Sequence, residues 1–150
     1  MARANSDRPP GLIERLNRLY TPVVADVLDR LGYRDQSLRP ELRPLFPKAR
    51  AAGYALTVKV VATTDIAPEE PYKGELAAVD ALAKDDVMVV SPCEWSFWGE
   101  LLSTAATYRG CRGIVIDGYT RDTQAIEAMG FPVFCRGVHP ADSLGRLDVE

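Results

Sequence analysis

A chain of 150 residues is long enough for one domain that buries about two-thirds of the surface its unfolded form exposes, so folding requires neither a disulfide nor a structural metal. With 47% hydrophobic and 26% charged residues and a mean hydropathy of -0.11 it has a globular profile, and no apolar run approaches the roughly 18 residues of a membrane-spanning helix. Eighteen basic against 21 acidic residues leave a net charge of -3, with the arginines scattered and not gathered into a stripe, which argues against nucleic acid as a partner.

Residues 1–10 are polar, end in a Pro pair and lack the apolar stretch of a signal peptide; they read as a disordered leader, and 11–150 as one domain. A helix is predicted over Gly11 to Tyr20, with Leu12, Ile13, Leu16 and Leu19 on one face. A second is bounded by Thr21 as N-cap, Pro22 at its first position and Gly32 as C-cap, with Val23, Val24, Val27, Leu28 and Leu31 as its buried stripe. Tyr33 to Arg50 carries three prolines and no clean period, so it reads as an irregular connection. Ala55 to Val61 is β-branched and predicts a strand, Ala62 to Gly74 a loop, and Glu75 to Ala83 a short helix burying Leu76, Val79 and Leu82.

The pattern then becomes regular. Strand Val87 to Val90, helix Glu100 to Tyr108, strand Gly113 to Ile116, helix Thr123 to Met129 and strand Pro132 to Phe134 make βαβαβ, hence an α/β fold with a parallel sheet. Gly110 and Gly130 close the two helices. Cys93, Cys111 and Cys135 are odd in number and match no CxxC or zinc spacing, so they read as buried free thiols in a reducing cytoplasm.

No GxGxxG, P-loop, HExxH or GxSxG is present. The single histidine, His139, lies in a Pro-containing loop with no triad around it and reads as a solvated or core-edge residue. What remains is geometric: parallel strands bring their carboxyl ends to one sheet edge, where ligands of open α/β sheets bind. Two segments must meet there, SPCEWSFWGELL after Val90 and DGYTRD after Ile116. Gly99 allows close backbone approach, and the amides of Glu100, Leu101 and Leu102 belong to a first helical turn able to take a carboxylate or phosphate; the plainer alternative is a helix start with Glu100 well placed in the macrodipole.

Asp117 and Gly118 predict a sharp turn out of the strand. Asp122 is then either the N-cap of the helix at Thr123 or a carboxylate for a hard divalent cation, with Glu100 as a second, water-mediated acidic contact. Arg121 is either a solvated loop residue or a fixed positive fork beside that cation. In the functional alternative a small 2-oxo acid places its carboxylate on the helix amides and its 2-oxo oxygen toward arginine and metal. Breaking a bond to C3 leaves an enolate whose charge develops where those groups face it. Lys48, Lys59, Lys73 and Lys84 all lie outside these edge segments, which disfavours a Schiff base. Trp95, Phe97 and Trp98 either line the pocket or pack beneath it.

The stretch WGELLSTAATYRGCRGIVIDGYTRDTQAIEAMGFPVFCRG, Trp98 to Gly137, resembles the RraA-like family, which contains 4-hydroxy-4-methyl-2-oxoglutarate aldolases and the regulator of ribonuclease E activity A. Its acidic residue, 20 intervening positions and Arg-Asp pair are met by Glu100, Arg121 and Asp122, while TPVVADVLDRLG and AAGYALTV resemble the family's early helix and first core strand. The resemblance implies a β/β/α swivelling-domain fold, a homotrimer or homohexamer with sites near subunit boundaries, and a divalent cation, Mg²⁺ or Mn²⁺. It implies Asp122 as the metal ligand, Arg121 on the 2-oxo oxygen, the Leu101 and Leu102 amides on the carboxylate, and Glu100 ordering metal-bound water. The implied reaction is retro-aldol cleavage to pyruvate, with oxaloacetate decarboxylation through the same enolate. Members with the regulatory role keep much of the motif, so a non-catalytic regulator and an inactive short paralogue stand as alternatives. Against the family pattern the chain reads as lacking C-terminal strands and a helix after GRLDVE.

Overall fold

The computed structural model describes residues 8–150, which fall into two compact units divided between Leu38 and Arg39. In the first, α1 (Leu12–Leu16) follows Gly11, whose φ of 70° lets the chain turn into the helix, and α2 (Thr21–Arg30) opens with Pro in its first turn. The first helix is thus half the length predicted. Of the stripe predicted on the second, Val27 and Leu31 are exposed and no residue of α2 is fully buried. Periodicity marks which face of a helix is apolar; it carries no information on whether anything covers that face.

The second unit holds β1 (Arg43–Pro44), β2 (Tyr54–Val58), β3 (Val60–Ala62), α3 (Lys73–Asp80), β4 (Asp86–Val90), β5 (Ser96–Trp98), α4 (Glu100–Tyr108), β6 (Gly113–Thr120), α5 (Thr123–Met129), β7 (Val133–Val138) and β8 (Leu147–Val149). The main sheet has the order β1-β7-β6-β4-β2, with β5 also paired to β6; β3 and β8 form a separate antiparallel pair. The predicted βαβαβ is β4-α4-β6-α5-β7, all parallel, and β2 extends it in parallel on β4. β4 reads DVMVV because a central parallel strand is covered on both faces.

Other expectations are corrected. The single strand foreseen from Ala55 to Val61 is two, broken at Lys59, with β2 in the main sheet and β3 on β8. The irregular segment contains β1, whose Pro44 is tolerated because the strand is an antiparallel edge. Most important, β6 does not end at Ile116. Asp117 and Gly118 form no turn out of the strand: the register with β7 shifts between Ile116 and Tyr119, so they make a bulge and the strand continues to Thr120.

The bulge is held from both sides. Cys93 donates its amide to Asp117 O at 2.9 Å, and Arg136 Nη2 donates to Cys93 O at 2.6 Å and to Asp117 O at 3.0 Å. The core between sheet and helices is built on Met88, Ile114, Ile116, Ile126, Val133 and Trp98, all essentially inaccessible. Trp98 stacks between Phe97 and Phe131 and donates Nε1–H to Ser103 Oγ at 2.7 Å, so its polar edge is satisfied where its ring is buried. Among the described residues no helix is long and apolar enough to cross a membrane.

A methyl group at Gly118 would stand 2.3 Å from Cys93 Sγ and 2.7 Å from Cys93 O. Gly118→Ala is therefore expected to destabilise the fold by about 1–3 kcal/mol. Chemical denaturation checks this, and an unchanged midpoint would contradict the close approach.

Candidate active site

The extra length of β6 decides the geometry. Beyond the end of β4, β5 lies parallel to β6 with Ser96 opposite Tyr119 and Trp98 opposite Thr120. Trp98 O accepts two hydrogen bonds, from Arg121 N at 3.0 Å and from Thr120 Oγ1 at 3.0 Å. Gly99, entering α4, is thereby set beside Arg121 and Asp122, entering α5. Gly99 has extended backbone, and a Cβ there would lie 2.4 Å from Asp122 Oδ2. Absence of a side chain is what lets the carboxylate approach.

Asp122 stands in the N-cap position of α5 but makes no side-chain cap to its own helix. Its Oδ2 accepts the Glu100 amide at 3.0 Å, the first orphan N–H of α4. Its backbone lies in the left-handed region (φ 55°), a conformation that costs a residue with a Cβ of order 1 kcal/mol and is held here by that contact. The local cap is therefore not made: Asp122 caps a helix, but the neighbouring one.

Around these residues lies a cavity of about 230 Å³ whose walls include Phe97, Trp98, Leu101, Leu102, Arg121 and Asp122. Phe97 and Trp98 both line it and belong to the core, whereas Trp95 packs edge-on to His139 and under the Arg146 guanidinium. Glu100 is exposed and borders the cavity only through its neighbours Gly99 and Leu101, while Leu101, 82% exposed, and Leu102 are in its walls. His139 is half-buried, accepts the Ala141 amide on Nδ1 and lies outside the cavity walls.

A further group of residues completes the wall: Tyr72, Glu75, Asp142 and Ser143. The segment that carries Asp142 is tied to the sheet edge, since His139 donates its amide to Thr120 O, Ser96 donates its amide to Ala141 O, and the Ser96 hydroxyl donates to His139 O. Arg121 Nη2 then lies 3.4 Å from Asp142 Oδ1 and Arg121 Nε 3.8 Å from Asp122 Oδ2, while Tyr72 donates its hydroxyl to Asp142 Oδ2 at 2.5 Å.

The family model described as RraA-like, Aldolase/RraA, matches residues 21–150. This chain belongs to the RraA-like family. It is 30% identical over 144 residues to the "Putative 4-hydroxy-4-methyl-2-oxoglutarate aldolase" of Halalkalibacterium halodurans, covering 91% of this chain and 63% of that protein. It is 26% identical over 149 residues to protein DlpA of Legionella pneumophila, covering 95% of this chain and 23% of that one. The chain thus spans less than two-thirds of either curated relative. Among solved structures, the crystal structure of Streptomyces coelicolor RraAS2, described as an unusual member of the RNase ES inhibitor RraA protein family, superposes with a TM-score of 0.78 at 24% identity, over 95% of this chain and 71% of that one. The mostly parallel α/β sheet is therefore the RraA-like fold.

In this RraA-like chain the four added wall residues went unseen in the sequence. The helical spacing of Leu76, Val79 and Leu82 points to an inward face with Leu76 on it, but Leu76 is 52% exposed and Glu75 is 6% exposed. The only available sign was an acidic residue next to that face. Burial is the main influence on Glu75, raising its pKa from 4.5 to about 7 against the lowering effect of the Ser143 hydrogen bond. Asp142 behaves oppositely: burial pushes it up, but the Tyr72 hydroxyl, the Ser143 amide and the Arg121 guanidinium outweigh that and hold it below its ordinary value. Tyr72, donating to that carboxylate, is raised.

The Glu75 shift has a stability consequence. Between pH 4.5 and about 7 the folded chain keeps a proton that the unfolded chain releases, so stability falls across that window and is flat above it. The fall is about 3 kcal/mol at 1.36 kcal/mol per pKa unit. Asp142 acts with the opposite sign, but only as pH falls below the ordinary carboxylate range. Denaturation of Glu75→Gln at several pH values is expected to show the decline between pH 5 and 7 removed; a decline as steep as in the parent chain would contradict the buried, proton-holding environment.

Proposed function

We propose that this chain acts as a divalent-metal-dependent carbon–carbon lyase of the class II aldolase type, cleaving 4-hydroxy-4-methyl-2-oxoglutarate-like 2-oxo acids to pyruvate and decarboxylating oxaloacetate through the same enolate. The observation that carries this reading is the convergence of three groups at one cavity: the first-turn amides of α4, the Arg121 guanidinium and the Asp122 carboxylate. Family membership and the named aldolase relative support it.

Among the described residues no three His, Cys, Asp or Glu side chains cluster as a protein cage would require. Asp122 is 41% exposed and, with Oδ2 on the Glu100 amide, has no protein partner on Oδ1 among the described residues. One open carboxylate oxygen at the cavity fits Mg²⁺, which keeps most of its waters and takes one or two carboxylates, better than a cation needing many protein ligands. Asp122 would hold it, with Glu100 at the rim ordering its water; when bound it supplies positive charge opposite the developing enolate oxygen.

The chain's own residues do the rest. The Leu101 and Leu102 amides take the substrate carboxylate at a helix N-terminus that favours negative charge, with Gly99 giving the backbone room to approach. Arg121 has five donors in a rigid fork; its contacts to Asp142 and Asp122 are partly solvated and leave N–H groups for the 2-oxo oxygen. Asp142, itself held by Tyr72, keeps that fork in place. Phe97 and Trp98 exclude water from one wall, strengthening each of these interactions. On this reading the protein works in the cytoplasm as a homotrimer or homohexamer on a small 2-oxo acid. The three thiols, free and buried, suit that compartment.

Pyruvate release from oxaloacetate in Mg²⁺ buffer, above the metal-only background, tests the reading. Arg121→Ala and Asp122→Ala are each expected to cost about 100-fold or more. Rates for parent and Asp122→Ala that both equal the background would contradict it and favour a non-catalytic regulator of ribonuclease E type or an inactive paralogue.

A further inference from the structure

We propose that Glu75 is the acid–base group of this cavity, moving one proton between the C4 hydroxyl and C3 of the substrate. The proposal rests on the retro-aldol reading above. Such a reaction has two proton transfers. A base takes the C4 hydroxyl proton as the C3–C4 bond breaks, its electron pair passing into the enolate of pyruvate and C4 becoming the carbonyl of the departing 2-oxo acid. An acid then protonates C3, restoring the C2 carbonyl. One carboxyl group can do both, accepting the proton in the first step and returning it in the second, so that it ends as it began and no proton is gained or lost.

Five titratable side chains line the cavity: Tyr72, Glu75, Arg121, Asp122 and Asp142. Four are committed. Asp122 holds the Glu100 amide, Asp142 is shared between Arg121 and the Tyr72 hydroxyl, Tyr72 donates that hydroxyl to Asp142, and Arg121 lies between Asp142 and Asp122. Of these carboxyls, Glu75 alone forms no ion pair among the described residues; its polar neighbour is the buried Ser143 hydroxyl, which also donates to Asp142 Oδ1 at 3.3 Å. It lies in the first turn of α3, 6% exposed, in the cavity wall.

The charges around it are mixed. Asp142 faces it from the 139–146 segment, Arg121 from the end of β6, Asp148 from β8 and Tyr72 from the start of its own helix. α4 also packs on α3, and its Arg109 pairs with Asp80 at the far end of that helix. Burial against these neighbours lets Glu75 exchange its proton near neutrality, where a group that must act as both base and acid is most effective.

The test uses the full chain with Mg²⁺ and four forms: the parent, Glu75→Gln, Glu75→Asp and Asp122→Ala. Three quantities are measured: pyruvate release from 4-hydroxy-4-methyl-2-oxoglutarate, exchange of the pyruvate methyl protons in D₂O followed by NMR, and binding of oxalate, an unreactive mimic of the enolate. Glu75→Gln is expected to lose about 100-fold or more in both release and exchange while binding oxalate as the parent does. Exchange by the parent is expected to rise with pH to a plateau through about 7, a limb absent from Glu75→Gln and retained in a partly active Glu75→Asp. Parent-like exchange and an unchanged pH profile in Glu75→Gln would overturn the proposal and leave the lyase reading standing, as would loss of oxalate binding in step with activity. A parent chain no faster than metal alone and no different from Asp122→Ala would overturn both.

Discussion

One backbone oxygen organises the candidate site. Trp98 O accepts the Arg121 amide and the Thr120 hydroxyl, and so locks the end of β5 against the end of β6. The placement of Gly99, Arg121 and Asp122 and, through the backbone bonds of residues 139–141, of Asp142 follows from that register. Had β6 ended at Ile116, Arg121 and Asp122 would have left the sheet before reaching Gly99. The bulge at Asp117 and Gly118, clamped by Arg136 and the Cys93 backbone, carries the strand four residues further while absorbing the mismatch with β7. The indole of Trp98, buried between two aromatic rings and bonded to Ser103 of the helix it precedes, anchors the same carbonyl from behind.

On that frame the molecule holds several groups in states that cost stability. Asp122 and Tyr72 both have positive φ, and both open a helix at the cavity. Glu75 is buried beside a serine hydroxyl that also donates to Asp142. Strained backbone and poorly compensated carboxyls persist where surrounding contacts over-determine them, and two of the three positive-φ non-glycine residues among the described residues, Tyr72 and Asp122, border this cavity. The acidic residues also divide by environment: Asp142 is held below its ordinary value by its neighbours and Glu75 is pushed toward its neutral form by burial, although both border one space. Two carboxyls with opposed environments are the usual basis for separating positioning from proton transfer.

The parts of this arrangement that lie on consecutive residues were legible in the sequence. The βαβαβ order follows from alternating short apolar runs and helical periods, and Gly99, Glu100, Arg121 and Asp122 follow from the rule that parallel strands deliver their carboxyl ends to one edge. The exact way they meet was not. An Asp-Gly pair ordinarily signals a turn, and only the shift of register against β7, a strand 13 residues on from Thr120, reveals a bulge instead. Asp122 reads as a cap for its own helix because capping is local in sequence, whereas its partner is an amide 22 residues away. Glu75 and Asp142 come from segments distant in sequence from the motif, and the helical face on which Glu75 lies was assigned to leucines. Long-range packing, which period and propensity do not encode, chose between them.

A crystal structure of the chain with Mg²⁺ and pyruvate would show whether the α4 amides, Arg121 and Asp122 act together on one bound 2-oxo acid, as proposed. The expected result is the cation on Asp122, the pyruvate carboxylate on the Leu101 and Leu102 amides and its 2-oxo oxygen toward Arg121. Saturating concentrations of both that leave the cavity empty, with the cation bound elsewhere, would contradict it.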